Sequence, residues 1–150
     1  KLMDATRSTA EPTLLERQVA DHIRTYSDTF GEAFHKGDPT LLRPFCHVPS
    51  VSMFRGRIYS VSTEEDSDER WRRAHAALPD DYHHSVLHLV DVMMTDDRTA
   101  FVTVDCGRFN RSHEEYHRFH ASYITVLTDE GWRISIWIGH DKDDTRHVVL

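Results

Sequence analysis

The stretch from Tyr116 to Asp141 constrains this chain more than any other. It reads YHRFHASYITVLTDEGWRISIWIGHD, two long β-like runs around the polar turn Asp129-Glu130-Gly131. Glycine at the end of that turn reaches positive φ easily, so a β-hairpin is predicted. Side chains alternate along a strand, and the second run therefore puts Trp132, Ile134, Ile136, Ile138 and His140 on one face. With residue 128 opposite residue 132, Val126 meets Ile134, Ile124 meets Ile136, Ser122 meets Ile138 and His120 meets His140. One face would then run from an oily end to a polar end carrying two histidines, as small-molecule pockets are lined.

The rest of the chain supplies helices to cover such a sheet. Leu15, Val19, Ile23, Tyr26, Phe30 and Phe34 recur at three- and four-residue spacing, the apolar stripe of a helix from Thr13 to Lys36. Gly37 can close it in a left-handed C-cap. Asp38 and Pro39 open a short second helix to Phe45 as N-cap and first helical residue. Val51–Phe54 and Arg57–Val61 read as strands around an Arg55-Gly56 turn. Thr63 to Asp66 is an approximate capping box for a third helix through Trp71, stopped by Pro79. Long strands follow at His83–Thr95 and Thr99–Asn110, ahead of the hairpin. Helices kept apart from a strand meander make an α+β domain with helices on one sheet face, and a strongly twisted sheet curls around them into a cone.

Length and charge narrow the partners. At 150 residues the chain is expected to form one domain at 13–141, between an extended or disordered 1–12 and a charged tail at 142–150. The net charge of −7 argues against a nucleic-acid or anionic-membrane partner, either of which wants a basic face. No apolar run approaches the roughly 20 residues that span a bilayer. Cys46 and Cys106 form no CxxC pair, and with no secretory pattern the expected compartment is the reducing cytoplasm.

Several segments carry a family resemblance. Tyr26…Phe30…Phe34-His35-Lys36-Gly37-Asp38, the strand Thr99-Ala100-Phe101-Val102 and Gly131-Trp132-Arg133-Ile134 resemble the nuclear transport factor 2-like superfamily, closest to its SnoaL-like members. Cys46-His47-Val48-Pro49 and Ile138-Gly139-His140-Asp141 resemble an uncharacterised bacterial branch of it. The resemblance spans Leu14 to Asp141 and implies a cone-shaped, cystatin-like α+β barrel: a curved antiparallel or mixed sheet wrapped around three N-terminal helices. It also implies a deep pocket and a homodimer through the outer sheet face. It implies no single function, since such proteins include isomerases, cyclases, epoxide hydrolases, dehydratases and binding modules. The tyrosine and carboxylate expected of ketosteroid isomerases are replaced here by Phe30 and by Met53-Phe54, and the aspartate of limonene epoxide hydrolases by Gly139.

The candidate chemistry follows from the hairpin. His120 and His140 are the predicted proton carriers, with Asp105 a carboxylate inside an otherwise apolar strand. The expected ligand-binding set is Tyr26, Phe30, Phe54, Tyr59, Trp71, His88, Arg118, Ser122 and Ile138. Arg55, Arg57 and Arg108 are further cations able to clamp a carboxylate. In the Thr99–Asn110 strand, alanine, valine and cysteine fill one face and Phe101, Thr103, Asp105 and Phe109 the other, so Asp105 faces either the pocket or a dimer partner. The chain holds twelve histidines, but His113-x-x-x-His117-x-x-His120 matches no metal-ligand spacing, and neither metal nor cofactor is expected. No phosphate loop, GxSxG elbow or Cys-His nucleophile is present. The reading is a pocket for a small apolar molecule, used for cofactor-free acid–base chemistry or, alternatively, for binding or scaffolding alone.

Overall fold

In the computed structural model, residues 10–140 and 148–150 are described. The expected termini at 1–9 and 142–147, together with Asp141, lie outside the described residues. Helix α1 (Leu14–Lys36) begins where the Thr13 side chain accepts from the Glu16 amide and ends at Gly37, whose φ of 62° gives the left-handed cap. Its buried stripe is Val19, Ile23, Tyr26, Phe30 and Ala33. A short 3-10 helix (Pro39–Phe45) follows, with the Asp38 side chain accepting from the Thr40 amide. Strands β1 (Cys46–Phe54) and β2 (Arg57–Val61) form a hairpin, and α2 (Glu64–Ala76) is capped by the Thr63 hydroxyl. Strands β3 (Tyr82–Asp96), β4 (Thr99–Asn110), β5 (Glu115–Thr128) and β6 (Gly131–Gly139) complete the chain.

The six strands lie in the order β2-β1-β6-β5-β4-β3, and the sheet is not closed, with β2 and β3 at its edges. All neighbours are antiparallel except β1 with β6, which makes the sheet mixed. Its concave face packs on the helices: Val19, Ile23, Leu42, Tyr82, Val102, Val104 and Ile134 are each 0% exposed. This apolar layer is the main stabilising element, at about 25 cal/mol per Å² removed from water.

The terminal hairpin keeps the expected pairs Ile124–Ile136 and Ser122–Ile138 but departs from the expected register nearer its turn, in a way that decides which face is which. Its turn is tighter, pairing Thr128 with Gly131 and Leu127 with Trp132, because Gly131 takes φ 102°. Between Ile124 and Thr125 the register shifts, so Thr125 faces Ile134 while Ile124 faces Ile136, and Ser135 is the extra residue. Such a bulge reverses the side-chain parity of everything beyond it. The buried residues of β6 are accordingly Trp132 and Ile134, then Trp137. The predicted single stripe from Trp132 to His140 is therefore split between two faces.

Candidate functional site

The helices and the concave sheet face enclose a cavity of about 190 Å³. Helix α1 contributes Tyr26, Ser27 and Phe30, α2 contributes Trp71 and Ala74, and β3 contributes Ser85 and Leu87. The floor comes from Cys106 and Arg108 on β4, Phe119, Ala121 and Tyr123 on β5, and Trp137, Ile138 and Gly139 on β6. Strand alternation explains the choice: Phe119, Ala121 and Tyr123 share one face of β5, opposite Cys106, Val102 and Trp137 across the ladders.

The walls are aromatic. Tyr26 lies with its ring centroid 5.8 Å from Trp71 and 6.0 Å from Tyr123, and Trp71 lies 5.5 Å from Trp137. These tilted and edge-on contacts are the favoured geometries of aromatic pairs. The Trp137 indole N–H donates to the Tyr26 hydroxyl at 3.2 Å, fixing both rings. Beneath them Arg70 is 7% exposed, its guanidinium 4.0 Å from the Trp137 ring centre and donating to Ser50, Ser52 and Ser67. Three hydroxyls and two indole faces thus replace a carboxylate as its partners.

The ionisable groups of the cavity are held in their protonated forms. Burial pushes the Tyr26 hydroxyl well above its ordinary range, and Tyr123 and Cys46 add to the shift. Burial likewise raises Tyr123, and it pushes the Cys106 thiol up to about 11. Among the described residues no carboxylate pairs with Arg108, which lies over the Phe119 ring at 4.7 Å and whose buried Nε has no hydrogen-bond partner. At neutral pH the lining thus offers neutral donors and one cation, with no general base.

Of the sequence-predicted residues, Tyr26, Phe30, Trp71 and Ile138 line the cavity. The others are elsewhere, for identifiable reasons. His120, Ser122 and Arg118 alternate with the cavity residues of β5 and so lie on the convex face, where Asp105 is the register partner of His120. Asp105 accepts two hydrogen bonds from Arg118, each 2.8 Å, and the guanidinium holds its carboxyl below the usual range. His120 Nε2 is 4.0 Å from the same carboxylate. The His120 and His140 ring centroids are 6.2 Å apart, and His140 Nε2 hydrogen-bonds the Ser122 hydroxyl at 2.9 Å. Ser122 also bonds the Thr103 hydroxyl at 2.9 Å. The predicted acid–base group is thus brought together, but across the sheet from the cavity. His88 pairs with Glu115 at 2.7 Å on that same face, where Gly107 leaves room that a Cβ would take from both. Phe54 is 48% exposed and rests against Gly139, and Tyr59 lies under the Arg73 guanidinium. Neither lines the cavity. Among the described residues, those whose ring nitrogens approach closely enough to hold a metal ion are His83, His84 and His113, and none of them lines it either.

Sequence reasoning missed Tyr123, Cys106, Phe119 and Ala121 as lining residues, and named Arg108 only as one cation among several. The parity of β4 held the signal, since Val102, Val104, Cys106 and Arg108 share a side.

Comparisons with known proteins agree with this architecture. Residues 16–142 match the family model described as NTF2-like protein (DUF6841). The fold is similar to that of a cystatin-like protein of unknown function from Nostoc punctiforme, at TM-score 0.62 and 15% identity, covering 87% of this chain and 80% of that one. It is similar as well to an NTF2-like protein of unknown function from Shewanella oneidensis, at TM-score 0.60 and 14% identity over 82% and 99% of the two chains. A candidate ketosteroid isomerase from Shewanella frigidimarina superposes at TM-score 0.59 with 12% identity, over 83% and 96%. A search of curated proteins returned no match.

Proposed function

Because the chain belongs to this NTF2-like family, in which one fold serves many roles, we propose that it is a ligand-binding protein. Its concave cavity takes a small, largely apolar molecule with one carboxylate-like group. The observation that carries this reading is Arg108: a cation lining an aromatic cavity with no acid beside it among the described residues. Arg108 is half-buried with its Nε buried and unpartnered, and an anionic ligand group would offset the cost of desolvating it. The aromatic walls select a flat or aliphatic body, and a volume of about 190 Å³ suits a molecule of modest size.

The binding reading is favoured over acid–base catalysis because the cavity groups that could act as bases are all shifted towards their protonated forms. His120, His140 and Asp105 are on the opposite face and cannot reach a molecule seated in the cavity. No described helix is long and apolar enough to cross a membrane. The two buried, free cysteines support the reading of a reducing compartment. We further propose that the convex sheet face, where Leu89 and Met93 are exposed, meets a second copy of the chain.

A thermal-shift series of small aryl and alkyl carboxylates, each beside its uncharged amide, tests the pocket. The expected result is stabilisation by at least one carboxylate and not by its amide, with affinity at least about tenfold weaker in Arg108→Met, since a charge-assisted hydrogen bond contributes roughly 1.5–3 kcal/mol. Equal binding of acid and amide, or full binding by Arg108→Met, would sink the assignment.

A further inference from the structure

The histidines that the pocket leaves unused converge at the opening of β3. Consecutive strand residues ordinarily point to opposite faces. Here Tyr82 pairs with Asn110 and His84 with Phe109, so His83 is the extra residue of a β-bulge. The bulge turns His83 towards His84, and their Nδ1 atoms lie 2.8 Å apart. One of the two must accept, so at least one lone pair points into the space between the rings.

The third ring comes from the β4–β5 turn. His113 has φ 60°, a left-handed conformation uncommon outside glycine, though Asn, Asp and His adopt it more readily than other residues. Its amide donates to the Asn110 carbonyl at 3.0 Å, while the Asn110 side chain accepts from the Ser112 and Glu114 amides. That backbone brings the His113 ring centroid within 5.3 Å of His83 and 6.1 Å of His84. The three ligating nitrogens all lie within 4.8 Å of one another.

The surroundings hold these rings in place. His84 stacks on Phe109 at 4.8 Å with an interplanar angle of 14°. The His35 ring, in the last turn of α1, donates from Nε2 to the His83 carbonyl at 2.6 Å and pins the bulge to the helix. Bulge, turn and the last turn of α1 therefore each contribute to one arrangement whose histidines do not line the cavity.

We propose that His83, His84 and His113 form a binding site for a borderline divalent transition cation of the Zn2+ class. Imidazole nitrogen suits Zn2+, Cu2+ and Ni2+ and discriminates against Mg2+ and Ca2+. In a tetrahedral set with Zn–N of about 2.1 Å, ligand nitrogens lie about 3.4 Å apart. Three protein ligands leave a coordination position for water or an external donor.

Zinc titration of the untagged full chain, followed by calorimetry and equilibrium dialysis, tests the site. The expected result is one Zn2+ per chain, no uptake of Mg2+, and affinity at least about tenfold weaker in both His84→Ala and His113→Gly, the loss typical of damage to a metal site. Glycine is chosen at 113 because it keeps the positive φ. Metal-free thermal midpoints establish that both variants are folded, and Co2+ loading gives a visible d–d spectrum that the variants should lose. Absence of stoichiometric uptake, unchanged affinity in both variants, or loss of uptake in His120→Ala instead would overturn the proposal.

Discussion

A single histidine on α1 sets an acid limit on this fold. His22 packs 5.6 Å from the Phe45 ring, its Nε2 is buried without a partner, and its pKa is lowered to about 4. Burial is the larger cause and the nearby Arg133 charge the second. In the unfolded chain the same ring titrates near 6.5. Between those values the unfolded state binds the proton and the folded state does not, so stability falls as pH drops from about 6.5 to about 4. The loss from this residue is at most about 3 kcal/mol. His75, also lowered by burial, acts in the same direction. Urea unfolding at pH 7 and pH 4.5 should show a clear drop in midpoint, and His22→Phe should remove a measurable part of it. An equal drop in the variant would mean that other groups govern acid stability. Asp105 contributes only further down, because its depressed carboxyl titrates below the ordinary carboxylate range.

At the scale of elements, caps and turns were legible in the sequence because each has a local cause. Gly37, Asp38 and Thr63 perform the roles their side chains or backbone freedom predict, while Thr13, expected as the first helical residue, is the N-cap. The aromatic stripe of α1 also gave Tyr26 and Phe30 as cavity residues, since helical period fixes the buried face. What could not be read was the phase of the hairpin, because a bulge has no sequence signature beyond its effect on burial. One extra residue at Ser135, held by its hydroxyl donating to the Ile124 carbonyl at 3.1 Å, moves Trp137 to the concave face and His140 to the convex one. That one residue displaced His140 from the pocket, while the tighter turn, by pairing Leu127 with Trp132, had already put His120 on the convex face. Gly131 supplies the other half of the register, since φ 102° strains any L side chain. Gly131→Ala should therefore destabilise by about 1–2 kcal/mol without touching the cavity. The check is a lowered chemical-denaturation midpoint with unchanged slope. Unchanged stability would mean that the turn relaxes to another type and does not fix the register.

For the whole molecule, the exposed apolar side chains of the convex sheet face predict association. Its cross-strand rows follow from the register: Met93, Phe101, Ile124, Ile136 and Val51 in one, Asp91, Thr103 and Ser122 in the next, and Leu89, Asp105 and His120 beyond. Met93 is 55% and Leu89 53% exposed, large apolar side chains that an isolated sheet would leave in water. The same strip carries acids and bases together, among them Asp91, Asp105 and Glu115 beside His88 and Arg118. A surface that mixes apolar rows with both signs of charge can complement its own copy under a two-fold axis. Light scattering after size-exclusion chromatography should therefore give twice the chain mass at micromolar concentration. Leu89→Asp with Met93→Asp should return the mass of one chain while leaving carboxylate binding in the cavity intact, because neither residue lines it. A wild-type protein that stays monomeric up to millimolar concentration would remove the dimer from the reading, and the aspartate variant separates that outcome from any defect in the pocket.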